Sequence, residues 1–144
     1  MRGPAAWSVG DRELMAATIA KANTCEWYTK AHTAVAAGAD GNAAKMSAAL
    51  FDLETAAIEE PLRATLRMLR KLTREHAVEA DDMRALLAAG VSQAQVEDAL
   101  AVSFCFNTTC RLADAFGFLL PNPEAFEAGA ADRRRFQRSR PNPG

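Results

Sequence analysis

The stretch "RELMAATIAKANTCEWYTKAH", Arg12 to His32, decides how this chain folds. Its first half sets Leu14, Ile19 and a run of Ala at helix-compatible spacing. Acidic Asp11 and Glu13 fall in the opening turn, where the helix dipole favours negative charge. A first helix over 11–22 is predicted. "NTCE", residues 23–26, then reads as a fresh start, with Asn23 as N-cap and Glu26 as partner in an Asn version of the capping box. The second helix is expected over 24–37, stopping at Gly38.

Working outward, the same helical grammar repeats. A third helix is expected over 42–53, after the turn-rich "GADGN". A fourth opens at "EEPLR", where Pro61 suits the first helical position, and runs to about residue 76. "EADDMRALLAAG" reads as a short helix ended by Gly90. In "VSQAQV", Ser92 caps, Gln95 reaches back as its box partner and Val91 can staple onto Val96, so a final helix should run to Gly117. β-Branched residues are scattered, and no alternating apolar run is bracketed by hairpin turns. The expected fold class is all-α. Residues 1–10 read as an N-terminal arm, 11–120 as the helical domain and 121–144 as a Pro- and Arg-rich tail. That tail packs five Arg into residues 133–140 and reads as a frayed end rather than a functional basic arm.

Composition narrows the function classes. A chain of 144 residues can bury one good core and is too short for two. Its net charge of −1 gives no global pull toward nucleic acid or a membrane surface. Three cysteines, Cys25, Cys105 and Cys110, are an odd number, and the chain opens without an apolar leader-like run. A reducing cytoplasm is the expected compartment. No segment has the ~18 consecutive apolar residues of a membrane span. No Cys/His spacing closes a zinc site, so neither a metal nor another cofactor is expected.

The chemistry-bearing residues gather in "CEWYTKAH", 25–32. Tyr28 is the only tyrosine of the chain and His32 one of two histidines. Seven helical residues are roughly two turns, so Cys25 and His32 share a face with Tyr28 between them. A cysteine in the first turn of a helix sits where unpaired N–H groups and the dipole favour a thiolate. Taken on spacing alone, the cluster also fits a buried core cysteine beside an aromatic ring.

A resemblance weighs against that bland reading. Glu13, eleven residues, Cys25, two residues, position 28, three residues and His32 resemble the E…CxxCxxxH signature of the alkylhydroperoxidase D-like branch of the carboxymuconolactone decarboxylase family. "MRALLAAGVSQAQVEDALAVSFCFNTTCRLADAFG" is similar to that family's closing segment. The similarity covers residues 11–118 and is closest to the peroxidase-related subgroup. It implies helix 1 presenting Glu13, helix 2 presenting the motif and His32, and subunits assembling into a trimer or hexamer. It also implies a hydroperoxide substrate and a dithiol reductant. In the peroxidase type, the second Cys attacks, the first resolves, and Glu and His relay protons.

The pattern breaks at Tyr28, which stands where the nucleophilic Cys is expected. A phenol forms neither a sulfenic acid nor a disulfide with Cys25, so the two-cysteine cycle is not expected at this motif. Cys105 and Cys110, five residues apart, lie roughly 500° round a helix, so at most one can approach Cys25. Core packing is their expected role. Three readings result. The protein is peroxidase-related with weak or lost redox activity; or it is a proton-transfer enzyme of decarboxylase or isomerase type acting on a small organic molecule. In the latter, His32 and Glu13 move protons and Tyr28 donates to an oxyanion. The third is a non-catalytic binding or scaffold subunit.

Overall fold

The structure is a computed structural model and describes residues 1, 3–40 and 43–118. It has six helices in chain order: α1 (Val9–Ala22), α2 (Glu26–Asp40), α3 (Ala43–Phe51), α4 (Glu60–Glu75), α5 (Ala80–Ala88) and α6 (Gln93–Ala115). The described residues contain no strand, as the lack of alternating patterns implied. None of their helices is long and apolar enough to cross a membrane.

The centre of the fold is α1, which packs against α2, α6, α4 and α3. Its sequence explains this: residues 12–20 are all buried, and the helix has no polar side to turn outward. Ser8 caps α1 by accepting from the Asp11 N–H, so the helix starts two residues before the predicted position. Trp7, in the segment expected to be an arm, is buried in the core, and its indole N–H donates to the Gln95 carbonyl at 2.8 Å. Arg12 is buried too, its guanidinium donating to the Gly3 carbonyl at 3.1 Å.

Around this centre, α4 is strongly two-sided. Leu62, Leu66 and Leu69 enter the core, while Arg67 reaches outward. Arg63 stitches the connection from α3, donating to the carbonyls of Leu53, Glu54, Ala56 and Ile58. The predicted tail, 121–144, lies outside the described residues.

Two helix junctions shape the molecule. At α5 to α6, Ser92 and Gln95 form the predicted capping box, at 3.3 and 2.9 Å. Before it, the Gly90 N–H donates to Leu87 and the Val91 N–H to Leu86, which is a Schellman ending with Gly90 left-handed at φ +84°. At α1 to α2 the expected box is absent. Asn23 instead closes α1, and Thr24 and Cys25 donate to Lys21 and Ala20 in the same Schellman pattern. The left-handed residue there is Thr24, at φ +58°. The Cys25 carbonyl accepts from Thr29, so Cys25 caps α2 rather than lying inside it. The helix also runs through Gly38, which therefore does not end it.

Candidate functional site

Each predicted site residue is placed by this α1/α2 corner. Glu13 lies one turn into α1 and is buried, with His32 directed at it from the second turn of α2. A 2.5 Å hydrogen bond joins His32 Nδ1 to Glu13 Oε2, with the two side chains 12% and 3% exposed. A carboxylate accepting from Nδ1–H fixes the ring's tautomer and leaves Nε2 as the basic nitrogen. The pair can therefore take up and return a proton at a defined atom.

Tyr28 lies one turn before His32. Their rings stack with centroids 5.7 Å apart and an interplanar angle of 24°. Phe106, from α6, meets both edge-on, at 5.7 Å from Tyr28 and 4.5 Å from His32. Trp27 closes on the other side of Tyr28 at 4.8 Å. The imidazole is thus clamped between a buried carboxylate and two aromatic rings.

Cys25 sits at the far end of this row, buried at 1% exposure. The Schellman ending accounts for it: such corners bring the residue two past the cap against the third from the helix end, here Cys25 against Ala20. Cys110 and Ala113 of α6 complete this small cluster, with Tyr28 packed on it. Cys25 and Cys110 share this buried cluster, and burial, helped by the neighbouring Cys25 thiol, pushes the Cys110 thiol up to about 12. Core packing does describe Cys110, but not Cys105, which is exposed.

The row therefore brings together Glu13 and His32 at one end, and Cys25 with Cys110 at the other, with Tyr28 between. Phe106 escaped the sequence reading, which also did not decide between Cys110 and Cys105 as the neighbour of Cys25, although Phe106 and Cys110 are four residues apart and fall on the same buried stripe of α6 as Val96, Ala99, Val102 and Ala113. Among the described residues no group of three or more His, Cys, Asp or Glu is arranged to hold a metal ion.

No protein-family model matches the sequence, and no curated protein matches it. Solved structures do. An uncharacterized peroxidase-related protein from Silicibacter sp. TM1040 superimposes with a TM-score of 0.77 at 26% identity, covering 86% of this chain and 65% of its own. An alkylhydroperoxidase AhpD core, an uncharacterized peroxidase-related protein from Ralstonia eutropha JMP134, does so with a TM-score of 0.78 at 25% identity, covering 88% of this chain. The chain spans 66% of that second protein's length. Helix content and likeness together define the fold class as all-α and alkylhydroperoxidase D-like. The solved structures it resembles are described as peroxidase-related, and the likeness supports an alkylhydroperoxidase D-like family.

Proposed function

We propose that this chain is a peroxidase-related protein that keeps the family's proton-handling residues and has lost the two-cysteine reaction of the CxxC motif. The observation carrying this reading is the buried Glu13–His32 hydrogen bond beside Tyr28, which fills the nucleophile's position. A hydroperoxide reaction needs a thiolate to attack the O–O bond and an acid to protonate the departing oxygen. Glu13 and His32 suit the second task, and Tyr28 cannot perform the first.

A second reading draws support from the same stacking. His32, held by Glu13 and covered by Tyr28, suits proton transfer on a small organic acid or lactone, with the phenol donating to a developing oxyanion. Self-association into a trimer or hexamer accompanies either reading. Leu100, Phe104 and Leu112 form an exposed apolar run along α6, the kind of surface that subunit contacts cover.

The test is hydroperoxide consumption with a dithiol reductant. Tyr28→Cys should raise the rate ~10-fold or more over the wild type. An unchanged rate in a folded variant, with turnover of a lactone or organic acid lost in His32→Ala and kept in Cys25→Ser, would favour the proton-transfer reading instead.

A further inference from the structure

The motif at the α1/α2 corner holds one cysteine, yet the fold sets a second beside it. We propose that Cys25 and Cys110 form a reversible dithiol–disulfide pair, with Cys110 of α6 standing in for the thiol missing at position 28 and a hydroperoxide as oxidant. The proposal rests on the peroxidase-related reading of the site.

Three features hold the two sulfurs together. Cys25 and Cys110 share one buried cluster with Ala20 and Ala113, small residues that let the helices approach closely. The Asn23 side chain donates to Asn107 Oδ1 at 2.9 Å, which clamps the end of α1 to α6 two residues before Cys25 and three before Cys110. The Asn107 amide in turn donates to the Ser103 carbonyl and hydroxyl at 3.1 and 3.0 Å, so the clamp is itself braced along α6. Cys105 is exposed, on a different face of α6 from this cluster, and takes no part.

The two thiols have different surroundings, and this assigns their roles. Cys25 is itself buried but caps the N-terminus of α2, between exposed Thr24 and Glu26. Cys110 is fully buried inside α6, and its raised pKa keeps it protonated. Cys25 is therefore the attacking sulfur. Its thiolate attacks the hydroperoxide's outer oxygen, an S–O bond forms, and the O–O bond breaks. The departing alkoxide takes a proton and leaves as the alcohol. The Cys110 sulfur then attacks the Cys25 sulfenic acid, forming the S–S bond as the S–O bond breaks, and its proton leaves with hydroxide as water. Two thiols have lost two electrons to one hydroperoxide. An external dithiol restores them by exchange.

The test uses the full chain carrying Cys105→Ser, so that an exposed thiol does not confuse the map. Protein treated with tert-butyl hydroperoxide, or separately with the thiol oxidant diamide, is alkylated and digested without reduction. A linked Cys25–Cys110 peptide that disappears with dithiothreitol is expected from both oxidants. Cys110→Ala should instead leave Cys25 to advance to sulfinic acid. Linkage with diamide alone supports the pairing and overturns the peroxidase reading beneath it. No linkage with either oxidant, in protein whose far-ultraviolet dichroism is native, overturns the pairing itself.

Discussion

The two Schellman corners have the same hydrogen bonds and opposite characters. At α5 to α6 the left-handed residue is Gly90, and the contact behind it joins Val91 to Leu86, both buried in the main core. At α1 to α2 the left-handed residue is Thr24, and the contact joins Cys25 to Ala20, in a small cluster apart from the main core. One corner uses the residue that adopts a positive φ freely and buries large side chains. The other uses a β-branched residue where that conformation is costly and buries little. The first serves the fold. The second places a buried thiol at the start of α2, so the strained residue there borders the proposed site rather than a large packed side chain.

Substitutions should separate the two corners. Leu86→Ala, at the packing corner, should cost ~2–5 kcal/mol of unfolding free energy by urea titration, because it removes a side chain that is only 1% exposed. Cys25→Ala, at the matching face of the other corner, removes far less volume. It should cost about 1 kcal/mol and abolish hydroperoxide reactivity, so a loss as large as that of Leu86→Ala would erase the contrast.

The left-handed residues should respond with opposite signs. Gly90→Ala should destabilise by ~1–2 kcal/mol, since a Cβ meets a strained backbone at φ +84° even though nothing crowds it. Thr24→Gly relieves the same strain but frees the unfolded chain, so it should stabilise by less than ~1 kcal/mol. Destabilisation by Thr24→Gly would show that the threonine is held there by something besides the turn.

The pH dependence differs across the molecule too. The Cys110 pKa is raised from 9.0 to about 12 in the folded protein, so the protonated thiol favours folding fully below the ordinary thiol range. That contribution is lost as pH rises toward about 12. The melting temperature of the wild type should therefore fall on the alkaline side, and Cys110→Ala should flatten the trend. The smallest effect belongs to the cap of α5. Asp82 is held below its usual pKa by the Lys71 ammonium and the Glu79 N–H. Its contribution is present above the ordinary carboxylate range and fades as pH falls through its lowered value. Asp82→Asn should reduce the acid sensitivity slightly, as read from the melting temperature at pH 5 and pH 2.5.

Legibility in the sequence obeys the same division. Ser92, Gln95 and Gly90 announce their corner in residue types that do little else, and the structure places the box and the turn as read. "NTCE" misled because a Schellman ending without glycine flows straight into the next helix, so Asn23 looks like a start when it is a stop. The shared face of Cys25, Tyr28 and His32 could be read because the helical turn fixes their spacing, whereas Glu13, on α1, entered only through the resemblance. Cys110 could not be paired with Cys25 that way. Their contact depends on how α6 packs on the α1/α2 corner, a long-range fact that the spacing of Cys105 and Cys110 does not carry.

The most direct measurement compares dithiol-dependent hydroperoxide turnover in Tyr28→Cys with that in Tyr28→Cys carrying His32→Ala. If Glu13 and His32 remain a working proton relay and only the thiol at position 28 is missing, the first variant turns over and the second loses ~100-fold or more. Equal rates in the two folded variants would contradict that account.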